Sequence, residues 1–165
     1  MSCLVIDTIE PPLEENFPPS IANDPSAWDA IPPTPLDSII KVDLSELERQ
    51  AISELKLYVQ VRDPNLHQDL NFQLFLDYPE ALEWIADGPP IAATGELTRH
   101  VELTVDLTRL SPPGRCHKLE LLVSAAFDSR SRIREPLEPG DLAQAVWWVE
   151  VTDDTNPTVD ISTCP

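Results

Sequence analysis

The stretch His100-Val-Glu-Leu-Thr-Val-Asp-Leu107 decides the fold. Val101, Leu103, Val105 and Leu107 alternate with His100, Glu102, Thr104 and Asp106, the period of a strand with one face in a core and the other in water. Leu55, Leu57, Val59 and Val61 repeat the pattern against Lys56, Tyr58, Gln60 and Arg62. Phe72, Leu74 and Leu76 take it up again after the turn Asp63-Pro64-Asn65, and Leu119 to Phe127 and Ala145 to Val151 supply two more runs. Short alternating segments bounded by turn residues imply an all-β chain, an antiparallel β-sandwich.

Upstream the composition changes. Residues 1–37 hold eight prolines and seven acids with no Lys or Arg, which favours extended, polyproline-like backbone over a packed core. This segment reads as a proline-rich acidic leader or tether, and residues 38–165 as the sandwich domain. Phe17, Trp28 and Ile31 are more apolar than a solvating linker requires, so part of the leader is expected to lie along the folded body. Two departures from strand rhythm are expected. Ser45 and Glu48 have the spacing of a capping box ahead of Leu47, Ala51 and Leu55, and Pro79 to Ile85 suits a single helical turn.

Eleven Lys and Arg against 29 Asp and Glu give a net charge of −18, which repels phosphate backbones and argues against nucleic acid as a partner. Eighteen prolines against four glycines argue against phosphate-cradling loops. No run of about 18 apolar residues is present to span a bilayer, so the expected membrane contact is a lipid anchor. Met-Ser-Cys-Leu-Val-Ile is too short for a signal peptide, yet Cys3 stands where a processed bacterial lipoprotein carries its lipidated cysteine.

His67, His100 and His117 fall in separate segments, and no spacing marks a triad or nucleophile elbow, so an enzyme is not expected. Asp63, Asn65 and Asp69, and separately Asp153, Asp154 and Asn156, place hard oxygen ligands at alternating positions, an arrangement calcium could use. The same residues also suit Asx-type turn capping, and no cofactor is otherwise expected. If Leu74, Leu121 and Trp147 point inward, then Phe75, Leu122 and Trp148 point outward as an apolar row across three strands. Such a row is expected either to bind a protein partner or second copy, or to be covered by the leader through Phe17 and Trp28.

Val59-Gln-Val-Arg-Asp-Pro-Asn65 continuing to Asn71-Phe-Gln-Leu-Phe-Leu-Asp77, and Val146-Trp-Trp-Val-Glu-Val-Thr-Asp-Asp-Thr-Asn-Pro157, resemble exported bacterial domains of the immunoglobulin-like superfamily, especially the polycystic-kidney-disease-type and cadherin-like modules. The resemblance spans roughly residues 39–157. It implies an immunoglobulin-like sandwich whose five clear strands are the second, third, fifth, sixth and seventh. In that topology Cys116 begins the sixth strand where the seventh exits, so a Cys116–Cys164 disulfide is expected, with an oxidising compartment. A cysteine, an acidic tether and a sandwich together resemble Gram-negative surface lipoproteins. The function this implies is a non-catalytic interaction or structural protein of the cell envelope, in the periplasm or anchored to the outer membrane. The alternatives are a calcium-dependent adhesion or carbohydrate-binding module, and a hydrolase using a carboxylate site.

Overall fold

The computed structural model describes residues 16–36, 38–77, 83–86, 88–128 and 134–159. Among the described residues eight strands form two sheets: β1 (Ser20–Asn23), β2 (Ile40–Asp43), β3 (Glu54–Arg62), β4 (Asn71–Leu76), β5 (Glu83–Ala86), β6 (Thr98–Asp106), β7 (Arg115–Ser124) and β8 (Ala143–Thr152). One sheet has the order β1-β3-β6 and the other β2-β8-β7-β4-β5. All pairings are antiparallel except β2 with β8. The neighbours β3-β6 and β8-β7-β4 reproduce the B-E and G-F-C order of an immunoglobulin-like sandwich, so the five strands legible as alternation occupy the expected second, third, fifth, sixth and seventh places.

The inward residues of both sheets make a single core, including Leu55, Leu57, Val59, Leu103, Leu121 and Trp147. Two short helices, α1 (Ser26–Asp29) and α2 (Leu44–Arg49), and a 3₁₀ turn (Leu107–Leu110) connect the strands. The capping-box expectation is off by two positions. Because β2 runs to Asp43, that residue is the N-cap and accepts the Glu46 N–H at 3.0 Å, while Ser45 Oγ accepts from the Asp154 N–H at 3.1 Å. Of the helical turn expected from Pro79 to Ile85, residues 79–82 lie outside the described residues and Glu83 to Ile85 belong to strand β5 (Glu83–Ala86).

The folded body takes in part of the segment expected to be a leader. Residues Ser20–Asn23 pair with Val59–Arg62, and the Trp147 indole N–H donates to the Thr34 carbonyl at 3.0 Å. Asn23 Oδ1 accepts the Leu36 N–H at 2.6 Å, which turns the chain from one sheet toward the other. Phe17 and Trp28 do not act as a cover, being 46% and 56% exposed.

The alternation is right about direction at Phe75, Leu122 and Trp148, but the expected open apolar row is not there. Phe75 and Leu122 are 4% and 1% exposed, and Trp148 is half-buried. Both Phe75 and Leu122 stand outside the inter-sheet core cluster, so a second layer covers them. The described residues of the connection from β7 to β8 contribute to that layer at Phe75. Its arms pair through Phe127 and Pro136, with Leu137 N–H donating to the Ala126 carbonyl at 2.8 Å. Asp141 anchors the base by accepting from Ser124 Oγ at 3.0 Å and from the Ala125 N–H at 2.9 Å. Arg134 lies over the Phe75 ring, 5.2 Å from its centroid, and pairs with the buried Glu120 carboxylate, which Gln144 also contacts. The prediction of a docking row at Phe75, Leu122 and Trp148 is therefore corrected: Phe75 and Leu122 are buried, and Arg134 of the connection lies over Phe75.

Candidate binding groove beside the edge of β6

Strand β6 ends the three-stranded sheet, with β3 on one side. Asp63 N–H donates to the Leu97 carbonyl and Leu107 N–H to the Ser53 carbonyl, which continues the β3–β6 register to the pairs 63–97 and 53–107. Hydrogen-bonded and non-hydrogen-bonded pairs alternate in an antiparallel ladder, so odd-numbered residues of β6 bond to β3. The N–H and C=O groups of Thr98, His100, Glu102 and Thr104 then face the opposite, open edge. In the immunoglobulin arrangement a fourth strand lies there. Here the chain on that side passes through Gly88-Pro89-Pro90, and the prolines lack the N–H a ladder needs.

A groove of about 500 Å³ follows this edge, lined by Phe72, Pro89, Pro90, Ile91, Thr94 and the β6 residues from Thr98 to Glu102. Its wall is held by backbone bonds: Leu70 and Ile91 exchange two, at 3.0 and 2.7 Å, and Gly95 N–H donates to the Leu66 carbonyl at 3.1 Å. Gly88 packs closely on Phe72: a Cβ there would sit 2.6 Å from Phe72 Cζ, so the ring would have to shift. His100 projects from β6, and its Nδ1 pairs with the buried carboxylate of Asp24. Burial raises the Asp24 pKa, but the Ser26 N–H, the His100 hydrogen bond and the His100 charge together hold the carboxyl below its ordinary range. His100 is thereby fixed in orientation.

The acidic turns are occupied by ordinary capping and ion pairing. Asp63 is fully buried against Arg99, with Nη2 at 3.2 Å, and it caps the turn by accepting the Asn65 N–H at 2.9 Å. Arg99 also donates to the carbonyls of Asn65 and Ile91 at 3.3 and 3.2 Å, tying the groove wall to β6. Asn65 Oδ1 accepts the Phe17 N–H at 2.9 Å, and Asp69 accepts the Ala93 N–H at 2.7 Å. Asp153 accepts from Thr155 and Asn156, and Asp154 lies 3.9 Å from Arg49. The clusters at Asp63, Asn65 and Asp69 and at Asp153 and Asp154 lie at opposite poles. Among the described residues no group of three His, Cys, Asp or Glu side chains converges on a metal position.

His117 is a residue the sequence reading passed over as chemically idle. It is buried, and its Nδ1 pairs with Asp77 at 2.7 Å, while Arg115 reaches the same carboxylate at 3.1 Å. Asp77 also accepts the Lys118 N–H at 2.9 Å and returns its own N–H to the Lys118 carbonyl at 2.8 Å, which locks the end of β4 to β7. The signal for it was the Arg-Cys-His-Lys run opposite an acid at a strand end, which is short and not distinctive. Cys116, on the outer face, is disulfide-bonded; Cys3 and Cys164 lie outside the described residues.

The architecture defines the class as an immunoglobulin-like β-sandwich. No protein-family model and no curated protein matches the sequence. The crystal structure of an LPMO from Kitasatospora papulosa is similar, with 16% identity and a TM-score of 0.35, over 70% of this chain and 55% of that one. This chain thus spans little more than half the length of that structure, and a likeness of this size carries no residue or activity across. The expectation of a non-catalytic structural or surface-assembly protein, with adhesion, carbohydrate-binding and hydrolase alternatives, is nevertheless withdrawn. The apolar face it rested on is covered, with Phe75 and Leu122 buried.

Proposed function

We propose that this chain is a ligand-recognition domain whose site is the groove along the open edge of β6. The observation that carries this reading is the pairing of an apolar wall, Phe72 with Pro89, Pro90 and Ile91, with a histidine fixed by Asp24 and a row of outward backbone groups. Concave apolar surface with a few fixed polar groups is the usual composition of a binding site. The test is titration of the ¹⁵N-labelled protein with N-acetyl-leucine amide and N-acetyl-tryptophan amide. Shifts are expected at Ile91, Ala92, His100 and Glu102 and to be lost in Phe72→Ala; shifts confined to Trp148 and its neighbours would overturn the assignment.

The disulfide at Cys116 supports placing the protein in an exported, oxidising location, with Cys164 as partner, since the β7–β8 register sets Arg115 opposite Val151 at the end from which the C-terminal segment leaves. The strand–turn–strand and final-strand resemblances support a place among the polycystic-kidney-disease-type and cadherin-like domains. Non-reducing peptide mapping of the protein from its native host tests the pairing: a Cys116–Cys164 peptide is expected, and a peptide joining Cys116 to Cys3 would refute it.

A further inference from the structure

We infer that the open edge of β6 accepts an extended peptide segment of a partner protein as an added strand, one with apolar residues alternating with Lys or Arg. The inference rests on the groove being a binding site and adds what it reads, which is main chain. Thr98, His100, Glu102 and Thr104 each direct an N–H and a C=O away from β3, and among the described residues none of these groups has a partner. A row of unpaired groups on a strand edge is a template for a further strand, and strand addition takes its affinity from main-chain bonds and its specificity from alternate side chains.

The chain cannot supply this strand from the adjoining segment, because Pro89 and Pro90 lack donors and Gly88 lies against Phe72. An incoming strand would place alternate side chains over Phe72, Ile91 and Val101. Its other side chains would meet the outer face of the sheet, where Glu102 and Asp106 project and where Glu102 already holds Lys56 at 2.7 Å. That pair shows the chemistry the face favours. With a net charge of −18, a second copy of this chain is repelled and a basic segment attracted.

The probe is the peptide acetyl-Lys-Val-Lys-Val-Lys-Val-amide, compared with two versions N-methylated at alternate residues in one register or the other. Binding is followed by amide shifts and by hydrogen exchange. Protection is expected at the amides of Thr98, His100, Glu102 and Thr104, with one N-methylated register weakened about tenfold or more and the other unchanged. Glu102→Pro, which removes an edge N–H that β3 does not use, is expected to lose peptide binding as well. Since that variant could unfold, the N-methylated peptides carry the test on the unaltered protein. Shifts in the groove with no protection of the four amides, or equal binding by both N-methylated registers, would overturn strand addition and leave the groove reading standing. Absence of shifts with either peptide or amino-acid amides would overturn both, and dimerisation of the protein in sedimentation without peptide would assign the edge to a second copy instead.

Discussion

A carboxylate at a strand end can serve a metal ion or a guanidinium, and Asp63 serves Arg99. Both side chains are almost wholly buried, so each charge relies on the other for the solvation it has lost. Asp63→Ala would leave Arg99 charged in the interior and is expected to cost roughly 3–5 kcal/mol, read as a lower urea midpoint with an unchanged m-value. Asp77 makes the matching prediction in pH. Burial raises its pKa, but the His117 hydrogen bond, the Lys118 N–H and the charges of His117 and Arg115 outweigh that and hold the carboxyl below its ordinary range. With the folded pKa below the unfolded one, the contribution is fully present above about pH 4 and is lost as pH falls through the folded value. Asp77→Asn is therefore expected to flatten the loss of stability below about pH 4 in urea titrations across pH; an acid limb as steep as that of the unaltered protein would refute the assignment.

Among the elements, β7 shows what sequence can and cannot reveal. Alternation gives the direction of every side chain on it: Leu119, Leu121 and Val123 enter the core, and Glu120 and Leu122 face away. What it cannot give is the fate of the outer face, because period two records direction relative to the sheet and not what lies beyond. At Phe75 the cover comes in part from the polar connection to β8, where Arg134 has no neighbouring pattern to announce it. β1 and β2 were illegible for another reason: four residues each, among prolines, offer too few alternations to distinguish from coil. The open edge of β6 was likewise hidden, since its groove is formed by residues from Phe72 to Glu102 that only the fold brings together. Phe75→Ala tests the covered face. A buried phenylalanine should cost about 3–5 kcal/mol in denaturant unfolding, whereas one on an open docking row would cost well under half of that.

For the molecule as a whole, the question is where the fold begins. A tether can be removed without consequence, but a strand cannot. Deleting residues 1–36 would take away the β1 ladder against Ser20-facing Arg62 through Asn23-facing Val59, and would strip the Thr34 carbonyl from the Trp147 indole. Each lost main-chain bond is worth about 1 kcal/mol net, and the buried indole N–H left without an acceptor costs about 1–3 kcal/mol more. Ala27, wholly buried in α1, would also leave the interior. Against a typical total of about 5–15 kcal/mol, these losses are enough to abolish cooperative folding. The expected outcome is that the chain from residue 37 onward shows no sharp thermal transition and gives collapsed amide dispersion, while Trp147→Phe in the full chain lowers the midpoint through the lost indole bond and the vacated ring volume but keeps a cooperative transition. A truncated chain that melts as cooperatively as the full one would return the proline-rich segment to the role of a tether and make β3 the true edge of its sheet.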